Sequence, residues 1–442
     1  MKKKSYYLVS LGCAKNTVDS VSMATLLEEA GYTQVENHHQ AEVMIVNTCG
    51  FIHSARQESL QELRNLADHK KHGQLLIAAG CLTQRYREQV IEQVPGIDGL
   101  IGTRRWMDIV EVVSELRQQR SGVRYHIPED ASIGRDEHDV LRGAIQGASA
   151  YLKIADGCRR PCAFCAIPLI KGTLVSRPLE AILADALALD EMGVQELILI
   201  AQDTTDYGHD LGTRDGLPDL LDRLLKETSL PWIRIMYAFP GYVTDRLIET
   251  MATNPRILPY LDMPLQHAHP DTLKRMRRPA NMEWVYKTIE KMRKAIPSLA
   301  LRSTFIVGYP GETEEEFQTL LDFLQEIKLD RAGAFTFSFE KGTASEPLGD
   351  PIPQEVKEER YRQFMLTQEK ISLAKNQAFI GQKLNVLVEN HDRGIYYGRS
   401  YRDAPEIDGL VLFDSPAPPG QIVPVLINGA MPHDLSGTLI NT

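Results

Sequence analysis

Tyr151-Leu152-Lys153-Ile154-Ala155-Asp156-Gly157-Cys158-Arg159-Arg160-Pro161-Cys162-Ala163-Phe164-Cys165 is the stretch on which the fold turns. Its first five residues read as a buried strand, and a C-x3-C-x2-C loop follows at once. In barrels built of β/α units, ligand-holding residues sit at the C-terminal ends of the strands. Working outward, further strand candidates lie at 196–201, 233–238, 260–263, 301–307 and 334–338, with helical stretches such as 179–192 and 314–327 between them. Six β/α units fall short of the eight in a full barrel of about 250 residues. Residues 141–376 are therefore expected to form a partial (β/α)6 barrel, closed by a polar helix over 354–379.

Upstream, apolar strands at 6–11, 43–46 and 75–79 alternate with helix-like stretches at 19–30, 54–68 and 83–94. Near-continuous apolar strands of this kind indicate a parallel sheet covered on both faces. Residues 1–140 are read as a doubly wound parallel α/β domain, with 117–147 a charged connector. After Gly381 the runs 383–388, 394–399, 409–413, 421–426 and 435–440 are short and punctuated by Gly, Pro, Asp and Asn. They predict a small antiparallel β-barrel within 377–442. The fold class is thus multidomain α/β.

The chain has 442 residues, 43% hydrophobic and 24% charged, which excludes a disordered, collagenous or disulfide-scaffold protein. No apolar run approaches the roughly 18 residues that a membrane helix needs, so no membrane partner is expected. Met1-Lys2-Lys3-Lys4 before a short apolar run ending at Cys13 faintly mimics a lipoprotein signal. Lys15, Asn16 and Asp19 follow immediately, which speaks against that reading. A cytoplasmic location with reduced thiols is expected. Lys plus Arg number 49 against 59 Asp plus Glu, a net charge of −10. That balance disfavours a nucleic-acid partner and suits a basic protein.

The six cysteines then point to metal binding or catalysis. Cys158, Cys162 and Cys165 are close enough to hold three irons of a cubane cluster, leaving the fourth iron open to a small molecule. The alternative is zinc, which wants four ligands in a structural site; the nearest downstream histidine is His209. Cys13, Cys49 and Cys81 are far apart in sequence, but each lies just past the end of a predicted strand. A parallel sheet gathers such ends along one edge, and Gly12, Gly50 and Gly80 permit close approach there. The alternative for these three is burial as small hydrophobes. Two matching triads favour two [4Fe-4S] clusters.

The motifs also carry a resemblance. Gly157-Cys158 through Cys165-Ala166-Ile167-Pro168, with Lys171-Gly172 and Ser176-Arg177-Pro178, resembles the radical S-adenosylmethionine (SAM) segment of the methylthiotransferase family. Ser10-Leu11-Gly12-Cys13-Ala14-Lys15-Asn16, Val46-Asn47-Thr48-Cys49-Gly50-Phe51 and Ala79-Gly80-Cys81-Leu82 resemble that family's N-terminal domain, and the C-terminal barrel resembles its TRAM domain. The resemblance implies a transferase with SAM as cofactor. SAM would bind the open iron of the Cys158/Cys162/Cys165 cluster and yield a hydrogen-abstracting radical. Sulfur would be held at the Cys13/Cys49/Cys81 cluster. An electron donor and a sulfur donor are implied as further partners.

Within the family, the opening around Cys13, with Ala14 where the pattern usually has Pro, is similar to the RimO type. So is Gly398-Arg399-Ser400 with Asp403-Ala404-Pro405-Glu406-Ile407-Asp408-Gly409. That type implies as substrate the β-carbon of an aspartate in small-subunit ribosomal protein number twelve. From Ile380 onward four bases face seven acids, which suits a basic protein better than phosphates. The competing readings are a tRNA adenosine methylthiotransferase and a non-catalytic iron–sulfur scaffold. Gln202, Asp203, Gln266 and Arg302 are the candidate SAM contacts, with Arg302 equally an ion-pair member and Gln266 an ordinary loop residue. Gly308-Tyr309-Pro310-Gly311-Glu312-Thr313 resembles the family's Gly-rich turn. His267 and His269 read as loop residues.

Overall fold

A computed structural model describes residues 4–118, 122–128, 137 and 139–440. The first sheet has six strands in the order Thr33–Gln34, Ser5–Ser10, Val43–Thr48, Leu75–Gly80, Gly99–Gly102, Arg124–His126, all parallel. Helix Ala14–Glu29 covers one face with Met23, Leu26 and Leu27. Helix His53–Asp68 covers the other with Leu60, Leu63 and Leu66. Each fully buried leucine of this i, i+3 stripe contributes about 1.5–3 kcal/mol relative to exposure, which fixes the helix on the sheet. The doubly wound expectation holds. The strand order reverses at Ser5–Ser10, so the crevice for a ligand lies between the ends of Ser5–Ser10 and Val43–Thr48.

Two local expectations change. The single helix over 83–94 is two short ones, Cys81–Tyr86 and Glu88–Gln93, separated at Arg87 with φ 43°. The supposed connector also supplies edge strands to both sheets, Arg124–His126 to the first and Gly143–Gln146 to the second. Such short, half-exposed edges lack the apolar run that marks the central strands.

The second sheet is the open, partial barrel. Six parallel strands, Ser149–Lys153, Glu196–Ile200, Trp232–Ile235, Ile257–Asp262, Ala300–Val307 and Arg331–Thr336, are joined at one edge by antiparallel Gly143–Gln146. The Glu-rich start of helix Glu314–Ile327 is a capping box between Thr313 and Glu316, which satisfies two otherwise orphaned amides. The long helix Gln354–Gln377 ends this region.

The C-terminal domain is a closed five-stranded barrel of Lys383–Asp392, Ile395–Ser400, Val411–Phe413, Leu435–Leu439 and Ile422–Ala430. Four pairings are antiparallel, and the one between Val411–Phe413 and Leu435–Leu439 is parallel. Its loop from Arg399 to Asp408 enters the near end of the partial barrel. Arg399 reaches Glu196 at 2.6 Å, Asp403 reaches Arg331 at 2.6 Å, and Asp408 accepts from the Tyr260 hydroxyl at 2.7 Å. The motif 398–409 is therefore an internal plug. Within it Arg399 pairs with Glu196 and Glu389, Asp403 with Arg331 and Asp408 with Arg302, so the motif's charges are met mostly by residues of the partial barrel.

Candidate functional site

The first triad is assembled by the reversal of strand order. Cys13 is the extended residue that opens helix Ala14–Glu29, Cys49 directly follows Val43–Thr48, and Cys81 opens helix Cys81–Tyr86. The glycines beside them set how close the loops come. A Cβ on Gly12, which has φ 97°, would lie 2.8 Å from the Cys49 Cβ, and one on Gly50 would lie 2.7 Å from the Leu82 Cα. Asn16 ties the loops together. Its amide donates to the carbonyls of Leu11 (2.8 Å) and Thr48 (3.0 Å), and its Oδ1 is 3.7 Å from the Cys81 Sγ. Asn16→Ala leaves the buried Thr48 carbonyl and the half-buried Leu11 carbonyl without their donor, a loss of about 1–3 kcal/mol. Urea unfolding of the metal-free protein should show that loss, and iron retained at the first triad should fall with it.

The second triad lies in the loop after Ser149–Lys153. Gly157 has φ 72°, and a Cβ there would sit 1.9 Å from the Thr173 carbonyl oxygen. The loop is pinned by backbone bonds from Cys158 N to Gly172 O (3.1 Å), Ala163 N to Met276 O (2.8 Å) and Ser345 N to Ala163 O (2.8 Å). Arg278 reaches Cys162 Sγ at 3.5 Å and lies over the Phe239 ring at 4.1 Å. Arg160 lies over Tyr242 at 3.5 Å and pairs with Asp203 at 2.6 Å.

The two triads meet at one domain interface. Cys81 packs against Ala166, the residue after Cys165, and against Ile170 one helical turn further on. Arg85 of the first domain pairs with Glu340 of the core at 2.8 Å, and Arg104 donates to the Ile170 carbonyl at 2.9 Å. Across the cleft, Lys15 Nζ sits 3.4 Å from the Tyr237 ring centroid. Behind it lies a buried network in which Asp19 meets Lys153 (2.7 Å) and Lys171 (3.0 Å), and Asp156 meets the same two lysines at 2.6 and 3.4 Å.

Burial pushes the Cys158 thiol up to about 11 and those of Cys81 and Cys165 up to about 12, and it raises Cys49 as well. These are protonated at neutral pH unless a metal displaces the proton. Among the described residues no three of His, Cys, Asp and Glu converge on a single metal ion. A cubane gives each thiolate its own iron, and two sets of three soft donors on a common cleft fit such clusters.

The candidate SAM contacts are placed unevenly. Gln202 donates to Asp156 at 3.1 Å, while its Oε1 is buried without a partner in the structure. Asp203 is engaged by Arg160, and Arg302 by Asp262 (2.9 Å) and Asp408 (3.3 Å). Gln266 bridges the backbone of Thr304 and Ile306 with φ 77°. His267 is buried against Glu312 at 3.3 Å, and the Glu312 carboxylate braces the turn by accepting from the amides of Gly308 and Tyr309. Sequence reasoning gave no role to Asn16, Lys15, Asp19, Arg160, Arg278 or Tyr237. Asn16 and Lys15 lie in the quoted opening and Asp19 just beyond it, whereas nothing local marks Arg278.

A three-cysteine loop on an open six-stranded β/α barrel, flanked by a doubly wound domain and a small closed barrel, defines a radical SAM protein with two accessory domains. Residues 152–324 match the Radical SAM superfamily, 5–102 the Uncharacterized protein family UPF0004, and 380–440 the TRAM domain. The fold is similar to that of the radical SAM methyltransferase TsrM from Kitasatospora setae, with TM-score 0.55, 12% identity, and 90% of this chain and 81% of that one covered. Full-length relatives are more specific. The "Ribosomal protein uS12 methylthiotransferase RimO" of Desulforamulus reducens is 46% identical, covering 98% of each chain, and that of Roseiflexus sp. (strain RS-1) is 44% identical, covering 98% of this chain and 97% of the other. The chain belongs to the RimO family of radical SAM methylthiotransferases.

Proposed function

We propose that the protein transfers a methylthio group to the β-carbon of an aspartate of ribosomal protein uS12. The observation that carries this is the packing of Cys81 against the segment that follows Cys165, which sets two three-cysteine sites side by side in a chain of this family. On this reading Cys158, Cys162 and Cys165 hold the SAM-binding cluster, and Cys13, Cys49 and Cys81 hold the second. Reduced and with SAM bound, the first cluster supplies the one-electron cleavage of the sulfonium that makes hydrogen abstraction from carbon feasible. The protein supplies placement. Gln202 offers its unpaired Oε1 to SAM, Arg278 steadies the Cys162 sulfur, and the packed domain interface holds the two cysteine sites in register. Asp203 and Arg302 act through the residues they pair with. The reaction draws on a reducing electron donor and a sulfur donor.

The domain division 1–140, 141–376 and 377–442 follows the same reading, as does a cytoplasmic location. Among the described residues no helix is long and apolar enough to cross a membrane. The net acidic charge of the C-terminal domain supports a basic protein substrate over tRNA. Mass spectrometry of uS12 and of tRNA from a strain lacking the gene tests the choice. The methylthio mark should vanish from uS12 and persist on tRNA; loss from tRNA alone would favour the adenosine enzyme.

A further inference from the structure

We infer that Lys15 receives the side-chain carboxylate of the substrate aspartate and thereby selects an acidic residue at the methylthio-accepting position. This deepens the proposed function and rests on it. Lys15 lies two residues after Cys13, in the first turn of helix Ala14–Glu29. Its ammonium crosses the cleft to the core, where it meets the Tyr237 ring at 3.4 Å and the Ala201 carbonyl at 3.5 Å. It thus stands beside the first triad and above the ends of two core strands, between the two sites that must both reach one substrate carbon.

The other cations lining this cleft are committed. Arg142, Lys153 and Lys171 are bound to Asp19, and both lysines also to Asp156. Arg302 is held by Asp262 and Asp408, and Arg160 by Asp203 and Asp206. Arg278 is taken by the Pro264 carbonyl, Cys162 and Phe239. Among the described residues no carboxylate is close enough to pair with Lys15; Asp262 and Asp156 act on it only from a distance, and its one hydrogen bond is long. An ammonium carries three donors, and a largely buried charge without a paired counter-ion is unfavourable. Tyr237, which floors this position, adopts φ 62°, a left-handed conformation that a tyrosine holds only when its surroundings impose it.

The chemistry of the substrate supplies what is missing. Aspartate enters as a carboxylate and must be paired once water is excluded. Its β-carbon is bonded directly to the carboxylate carbon, so anchoring the carboxylate orients the C–H bond to be broken. An adenine base carries no such anion, so a tRNA substrate gives Lys15 nothing to bind.

The test compares peptides spanning the uS12 target loop with Asp or Asn at the modified position, using holoenzyme with both clusters loaded. Wild-type enzyme should favour Asp by at least about 100-fold in kcat/KM. Lys15→Met should bring that ratio within about fivefold of unity, mainly by raising KM for the Asp peptide, and Lys15→Arg should retain the preference. If Lys15 only balanced charge at Cys13, the methionine variant would slow both peptides alike and keep the ratio; that result overturns the proposal. Equal turnover of the two peptides by wild-type enzyme overturns it too, whether or not a variant loads iron. Absence of any wild-type modification of the Asp peptide would instead remove the proposed function itself.

Discussion

Alanine at Cys158, Cys162 and Cys165 together should abolish SAM cleavage, while the protein should keep about four of the roughly eight irons expected on reconstitution of the wild type. The mirror variant, alanine at Cys13, Cys49 and Cys81, should also keep about four irons, continue to cleave SAM and no longer transfer the methylthio group. Independence is expected because the triads are held by separate scaffolds. The later loop is fixed by Gly157 and by backbone bonds to Gly172, Met276 and Ser345, none of which needs a sulfur. The earlier one is fixed by Asn16 and the sheet. Iron and sulfide assays, 5′-deoxyadenosine chromatography and peptide mass spectrometry read the three outcomes. SAM cleavage surviving in the first variant would mean that the roles are misassigned. Loading has a sign in pH as well. Burial raises the Cys81, Cys158 and Cys165 thiols, metal binding must release their protons, and iron uptake by metal-free protein should therefore improve as pH rises from about 7 to about 9.

The legible part of this protein was what repeats locally. Strands such as Val43–Thr48 and Glu196–Ile200 are buried throughout and mostly apolar because both faces are covered, and Cys13, Cys49 and Cys81 each follow a strand within three residues. That pattern alone places Cys13, Cys49 and Cys81 along one sheet edge. What stayed hidden depends on residues distant in sequence. Asp203 and Arg302 are candidate SAM contacts from their positions on or just after the barrel strands, Arg302 equally an ion-pair member, but the charged partners the structure gives them are not local: Arg160 from the cysteine loop, and Asp262 and Asp408 from a neighbouring strand and the C-terminal barrel. The plug at 398–409 was readable as a motif but not as an internal contact, since a string of Arg and Asp looks like solvated surface until its counter-charges are placed. Edge strands Arg124–His126 and Gly143–Gln146 escaped because half-exposed edges need no apolar run.

Asp19→Asn should be the most damaging single change outside the cysteines. Asp19 is 1% exposed and meets Arg142, Lys153 and Lys171, which are also buried. Its partners are 123 to 152 positions away, so this cluster bolts the first domain to the core. Replacing the carboxylate by a neutral amide leaves three buried cations with Asp156 and Glu137 as their remaining acids. Breaking a buried pair by removing one partner costs about 3–5 kcal/mol, and urea unfolding of the metal-free protein measures it. Burial alone would raise the Asp19 pKa, but Lys153, Lys171 and Arg142 outweigh it and hold the group well below the usual carboxylate range. A depressed carboxylate contributes its stability above the unfolded value of about 3.9 and loses it only as pH falls toward the folded one. The gap between wild type and variant should therefore be flat from about pH 8 to about pH 5 and shrink below that. Function should fail unequally. The second triad keeps its own loop, so SAM cleavage should fall less than methylthio transfer, which needs both domains registered across the cleft. An equal fall in the two rates would show that the bridge serves the core alone and does not hold the sulfur-bearing site in place.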